Sequence, residues 1–356
     1  MRRACIAVAV IALGLLPAAP MADLAVSGRG PQSPQFRATS DLVQVYATVT
    51  GRGGAGVHDL RGDEFELFVD GKRQEIAVFS ALVQPLSVAI VLDHSGSTNA
   101  EFAQVLQAAG AFIGRLFKED RTRIDTLGWN CAPFTNDRAT LVAALQKPLP
   151  RDPGSPIWSA TDRAMSALLP EAGRRVVLLL SDGADNQEEM INQPGGGRSG
   201  PPAGRSSAPP AHGCVRADTS NLTLLRDVTN RAERESVMVY AVAVPETDPI
   251  SGAGPGGASS AGDAWGPAGF APRLLDRRAQ ADLAKLATRS GGSLQRLTNY
   301  SQLDAAFKVI ADELHLQYLL GFVPSTFDGK RHEITVRVKR PGVSVRAREA
   351  FIASRR

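Results

Sequence analysis

Three continuous apolar runs constrain the fold of this chain more than any other feature. Leu86-Ser87-Val88-Ala89-Ile90-Val91-Leu92, Val176-Val177-Leu178-Leu179-Leu180 and Val237-Met238-Val239-Tyr240-Ala241-Val242-Ala243-Val244 are rich in β-branched and aliphatic residues. They have the length and composition of strands buried on both faces. Between and after them the pattern changes period. Phe102, Val105, Leu106, Ala109, Phe112, Ile113 and Leu116 fall on one face at helical spacing, residues 123–129 can form a further strand, and Leu303, Phe307, Ile310 and Leu314 mark a final amphipathic helix. This alternation predicts an α/β fold: a doubly wound, mainly parallel, Rossmann-like sheet with helices on both faces.

The flanks read differently. Residues 40–84 form a small β unit, with Val43, Val45, Ala47 and Val49 on one face of a strand, followed by strands over 65–69 and 75–79. Asp70-Gly71 between the last two is a hairpin signal. In the C-terminal stretch 317–356, Ile334, Val336 and Val338 alternate with polar residues, Pro341-Gly342 turns the chain, and Val343, Val345 and Ala347 alternate again. The expectation is a C-terminal β-hairpin that packs with the N-terminal unit into one β-sandwich, because either piece alone is too small to be stable.

The N-terminal residues 1–25 have the plan of an export signal. Arg2 and Arg3 give the positive region, Ile6 to Leu16 the apolar core and Pro17-Ala18-Ala19-Pro20 the small-residue tail. An uncleaved anchor is the competing reading, but the core is shorter than the ~20 residues that span a bilayer. No other segment could cross a membrane, so the expected location is exported, periplasmic or extracellular. A Gly, Ser, Pro and Arg-rich linker follows over 26–39. The formal net charge of +4 is small, and basic residues are interspersed with acids, which argues against a nucleic-acid partner. Two low-complexity insertions, 193–217 and 246–272, follow strands, so both should emerge on the carboxyl edge of the sheet.

That edge also carries the chemistry. Asp93-His94-Ser95-Gly96-Ser97 follows the first buried run, and its D-x-S-x-S spacing sets a carboxylate and two hydroxyls at alternate positions of one turn. Three hard oxygen ligands suit a magnesium-type ion. Ser155, in Gly154-Ser155-Pro156-Ile157-Trp158, opens a helix and offers a further hydroxyl, and Ser181-Asp182-Gly183 ends the second run with a carboxylate. In a doubly wound sheet, ligands gather outside the carboxyl ends where strand order reverses. His94, between ligands, should point away and serve structure.

In this order the pieces resemble the von Willebrand factor type A domain and its metal-ion-dependent adhesion site, over residues 85–316. The segments around Asp63–Gly71 and Tyr318–Phe322 look like a secreted bacterial subfamily of that domain. The resemblance implies a metal site of Asp93, Ser95, Ser97, Ser155 and Asp182, with Ser155 standing where Thr is usual and Pro156 departing from the usual sequence. It implies that Ser95 and Ser97 bind the ion directly and that the two aspartates act partly through water. The implied cofactor is Mg2+, with Mn2+ or Ca2+ as alternatives. The implied function is an exported, non-enzymatic, adhesion-type module whose ion takes an Asp or Glu side chain of a partner protein.

Two other functions compete. A secreted magnesium-dependent hydrolase or phosphatase would use Asp93 as acceptor, but Ser95 stands where a second acid would be needed. Asp93, His94 and Ser95 are sequence neighbours and cannot form a catalytic relay. A structural envelope protein with a vestigial metal site is the third reading. Gly51-x-Gly53-x-x-Gly56 and Gly252-x-Gly254-x-x-Gly257 lack the strand-to-helix context of a dinucleotide site. Arg61-Gly62-Asp63 reads as a turn. Cys131 should lie on the rim, where a disulfide to Cys214 would staple the first insertion to its neighbour; free thiols are the alternative. Arg198, Arg205, His212 and Arg216 make that insertion basic, a spacer or a positive field for an acidic partner.

Overall fold

Apolar residues alternate along Val43–Thr50, and the segment forms β1 with Val45, Ala47 and Val49 turned into a core. The computed structural model describes residues 42–96, 98, 101–152, 154–186, 213–218, 222–245 and 271–353. The expected signal segment 1–25, the linker 26–39 and the bulk of both insertions lie outside these residues. β2 (Phe65–Val69) turns through Asp70 and Gly71, both at positive φ, into β3 (Lys72–Gln74), a two-residue hairpin of the kind an Asp-Gly pair favours. β4 is Val78–Ser80, and β5 (Leu86–Leu92) is buried at every position. Then follow α1 (Phe102–Arg115), β6 (Arg121–Thr126), β7 (Trp129–Thr135), α2 (Arg138–Leu145), α3 (Ile157–Leu168) and β8 (Arg174–Ser181). Asp137 caps α2 by accepting from the N–H groups of Ala139 and Thr140. Beyond them lie β9 (Val215–Arg216), α4 (Leu225–Glu235), β10 (Met238–Ala243), α5 (Ala271–Ser290), β11 (Leu294–Arg296) and α6 (Leu303–His315). The chain ends with β12 (Tyr318–Phe322), β13 (Arg331–Val338), β14 (Ser344–Arg346) and β15 (Ala350–Ile352).

The result is a mixed α/β protein with one large sheet and two small antiparallel ones. The large sheet has the order β11-β10-β8-β5-β6-β7-β9, in which β11, β10, β8, β5 and β6 run parallel and β7 and β9 antiparallel. From β5 the chain builds toward β6 on one side, then returns to build β8, β10 and β11 on the other. Successive side chains of a strand face opposite ways, and this divides the core in two. Val88, Ile90, Leu178 and Tyr240 pack with α1, α2 and α6. Ala89, Val91, Leu179 and Val239 pack with α3, α4 and α5. No helix among the described residues is long and apolar enough to cross a membrane.

The small sheets have the orders β14-β1-β12-β4 and β15-β13-β2-β3, so each combines strands from both ends of the chain. Val45, Leu67, Tyr318, Leu320, Ile334 and Phe351 from both sheets close a third core. Two expectations are corrected here. The Asp70-Gly71 hairpin is formed, but its return strand is only Lys72–Gln74, and 78–80 crosses to the other sheet beside β12. The C-terminal segments do not form a hairpin with each other. β13 pairs with β2 and β15, while the turn at Gly342, with φ near 76°, sends β14 to the opposite sheet, where Val345 pairs with Val49. Both strands alternate as expected; alternation fixes which face is apolar and leaves the partner open.

Candidate metal site on the carboxyl edge

Asp93 and Asp182 sit one residue beyond the ends of β5 and β8, which are hydrogen-bonded neighbours. The Asp93 N–H donates to the Leu180 carbonyl at 3.0 Å, extending that pairing past the last strand residue. The Asp93 side chain is fully buried. Its Oδ2 accepts from the Ser181 hydroxyl at 2.6 Å, and its Oδ1 accepts from the Ser95 N–H at 3.0 Å. Burial pushes the Asp93 carboxyl up to about 7, the Asp182 carboxylate adds to the rise, and the hydroxyls of Ser181 and Ser95 oppose it. Two acids are therefore held within each other's field in a site from which water is largely excluded.

The Ser155 loop is tied to the Asp182 loop by three bonds. Asn186 Oδ1 accepts from the Ser155 N–H at 2.7 Å, the Asn186 N–H returns to the Ser155 carbonyl at 3.2 Å, and Asp185 Oδ2 accepts from the Trp158 N–H at 3.1 Å. Asp182 Oδ1 accepts from the Ala184 N–H at 3.0 Å. Gly183 between them has φ near 90°, and a Cβ there would lie 3.0 Å from the Ala279 backbone. The turn that delivers Asp182 thus requires glycine. Ser95, Ser155 and Asp182 are all buried. Ser97 lies outside the described residues, so four of the five expected site residues are placed.

Asp152 went unnoticed in the sequence and organises the third loop. Its carboxylate accepts from the His94 N–H at 3.0 Å, the Leu127 N–H at 3.2 Å, the Gly128 N–H at 2.7 Å and the Thr126 hydroxyl at 2.6 Å. Its own N–H donates to the His94 carbonyl at 3.0 Å. Burial raises its pKa. This one side chain bolts the Asp93 turn to the corner between β6 and β7. The only local signal was an Asp before Pro-Gly, a turn composition. His94 stacks flat on Phe102 with ring centroids 3.6 Å apart, and its Nδ1 lies 3.1 Å from the Pro150 carbonyl. The Thr98 hydroxyl donates to the Asp93 carbonyl at 2.8 Å and closes the turn.

Tyr300, just ahead of α6, also reaches this rim. Burial raises its pKa, and the charges of Asp182, Asp93 and Glu101 raise it further. Helix α1 starts at Phe102, behind Glu101. Cys131 and Cys214 are disulfide-bonded, and β9 beside Cys214 extends the sheet next to β7. Arg216 is exposed, while Arg198, Arg205 and His212 lie outside the described residues. Among the described residues no three His, Cys, Asp or Glu side chains gather into a metal-binding group. The expected donors that are described are the carboxylates of Asp93 and Asp182 and the hydroxyls of Ser95 and Ser155.

No protein-family model matches the chain, and no curated protein matches it. Solved structures with a similar arrangement include proximal thread matrix protein 1 from the mussel byssus, at 12% identity and a TM-score of 0.43 over 76% of this chain. The match spans only 50% of the mussel protein. They also include a von Willebrand factor type A protein from Catenulispora acidiphila, at 11% identity and a TM-score of 0.41, covering 82% of this chain and 75% of that one. The manganese-loaded TRAP protein of Plasmodium vivax gives 11% identity and a TM-score of 0.38, covering 80% and 96%. These likenesses are distant; the residue assignments above rest on this chain's own geometry.

Proposed function

We propose that this chain is an exported, metal-dependent protein-binding module, with its large sheet the doubly wound sheet of a von Willebrand type A domain. Asp93, Ser95, Ser97, Ser155 and Asp182 would hold a magnesium ion, or manganese or calcium in its place. The observation that carries this reading is the meeting of the Asp93, Ser155 and Asp182 loops outside the carboxyl ends of β5 and β8, where strand order reverses. The donor set fits the ion. Two carboxylates and neutral hydroxyls are hard oxygen ligands. Asp93, raised by burial and by Asp182, gains from a cation beside it. When bound, the ion would supply an electrophilic point that still accepts an anionic oxygen, and an Asp or Glu of a partner protein has that oxygen.

A binding role suits Asp93 better than catalysis does. Both of its oxygens already accept hydrogen bonds inside the protein and the side chain is fully buried, which suits a carboxylate that acts on the ion through water and the Ser95 turn rather than an acceptor that must itself meet a phosphate. The Cys131–Cys214 disulfide supports an oxidising, exported location. Isothermal titration with magnesium and manganese tests the reading. Wild-type protein should bind one ion, and Asp182→Ala should weaken binding by at least about tenfold, roughly 1.4 kcal/mol. Equal binding by both proteins removes the proposal.

A further inference from the structure

The amino edge of the large sheet meets the sandwich through buried arginines. Arg174, at the start of β8, is 3% exposed; its Nη1 donates to Gln317 Oε1 at 2.7 Å, its Nη2 to the Leu314 carbonyl, and its guanidinium lies 4.9 Å from the Tyr46 ring centre. Arg348, just after β14, is 7% exposed and donates to the Ser236 hydroxyl at 2.8 Å and to the Glu233 carbonyl at 3.5 Å. Neither guanidinium is bonded to a carboxylate in these contacts, and the Nε of each is buried without a hydrogen-bond partner. The acids of this region are committed elsewhere. Glu233 pairs with Arg289 at 2.7 Å and Arg331 at 2.9 Å, and Glu313 pairs with Arg346. The charge of Glu233 reaches Arg348 only as a field already shared with two other cations. Burial accordingly pushes the Arg348 guanidinium down to about 10.

A cavity of about 10 Å³ opens beside Arg348, lined by Gln44, Tyr46, Ser236, Met238, Ser290 and Arg348. That is the space open to the centre of a water-sized sphere, enough for one small molecule or monatomic ion. Its walls offer a guanidinium, hydroxyls and an amide, with no carboxylate among them. A water molecule would satisfy hydrogen bonds there and leave the charge uncompensated. Burying an unpaired cation is costly, and a monatomic anion beside it removes that cost.

We propose that the cavity between β1 and the start of β10 binds a single small monovalent anion, chloride in its ordinary form, held by the Arg348 guanidinium and the Ser236 hydroxyl. The anion joins the sandwich to the sheet, because Arg348 and Gln44 come from one and Ser236 from the other. The site is independent of the carboxyl-edge metal site.

The test compares thermal unfolding of the full chain in sodium chloride, sodium bromide, sodium sulfate and sodium gluconate at matched ionic strength. Chloride and bromide should raise the wild-type Tm saturably by about 2–5 °C relative to gluconate. Ser236→Ala should raise the half-saturating chloride concentration by about fivefold or more, and Arg348→Met should abolish the halide response. If Arg348→Met does not fold, Ser236→Ala still decides. The sulfate response should be the same in wild type and Ser236→Ala. Bromide-soaked crystals should show an anomalous peak beside Arg348. Equal Tm in chloride and gluconate, a halide effect unchanged by Ser236→Ala, or water alone in the cavity would each overturn the proposal.

Discussion

The two edges of the large sheet solve opposite electrostatic problems. At the carboxyl edge, Asp93 and Asp182 are brought close, and what restrains them is neutral: the Ser181 hydroxyl, backbone N–H groups and the loop that Asp152 fastens. At the amino edge the excess is cationic. Arg174 and Arg348 are buried against tyrosines, carbonyls and hydroxyls, and a side-chain network links Tyr240 to Glu313 at 2.6 Å and Gln317 to Thr48 at 2.6 Å. One edge concentrates negative charge in a set of loops, while the other concentrates positive charge under a second layer of structure. The difference teaches where ligand binding and where architecture are placed. Loops beyond a strand end suit the proposed ion site, whereas a seam between two packed layers must be settled inside the protein.

The largest effect should come from breaking the amino edge. Glu233 is wholly buried and answers both Arg289 and Arg331, so Glu233→Gln should destabilise the fold by about 3 kcal/mol, read from urea unfolding. Removing one partner of a buried pair leaves the other charges uncompensated. A loss under about 1 kcal/mol would show that the seam tolerates charge and would erase the contrast. A smaller effect is expected at the carboxyl edge. Asp152→Ala leaves three N–H groups and one hydroxyl without their acceptor, and should cost about 2 kcal/mol while also lowering metal affinity in titration. Lost stability with unchanged metal affinity would separate Asp152 from the site.

The smallest effect lies away from both edges and serves as the control. His332 is held between Asp70 at 2.7 Å and Asp328 at 3.0 Å. Its pKa is raised, first by the hydrogen bond to Asp328 and then by that to Asp70. A raised folded pKa means that this stabilisation is complete below the unfolded value near ~6.5 and is lost as pH rises through the folded value. Both aspartates are lowered by His332, so their share is present above the unfolded carboxylate pKa and is lost as acid takes them through the folded values. Stability should therefore dip slightly on passing into mildly alkaline solution, and His332→Asn should remove the dip. NMR titration of His332 showing a pKa at or below the unfolded value would contradict it.

Much of the large sheet was legible because a strand buried on both faces has few disguises. β5, β8 and β10 carry continuous apolar runs, and Asp93 and Asp182 are the first carboxylates beyond two of their ends. The sandwich was legible by face only. Val343, Val345 and Ala347 correctly marked an apolar side, but nothing local told β14 to leave β13 and join β1. The same alternation hid the amino-edge arginines. Arg346 and Arg348 occupy the opposite face of that strand, which reads as solvent-facing, and the large sheet covers it. Asp152 was hidden for a related reason, since its four acceptor contacts come from residues that only the fold brings near.

Each sheet of the sandwich is woven from both ends of the chain, with β1 beside β12 and β14, and β2 beside β13. During synthesis β1 and β2 therefore wait, edges unsatisfied, until β12, β13 and β14 have emerged. Contacts of such long sequence separation are slow to form. For a module exported as an unfolded thread, as proposed above, that delay would keep the sandwich from locking before translocation is over.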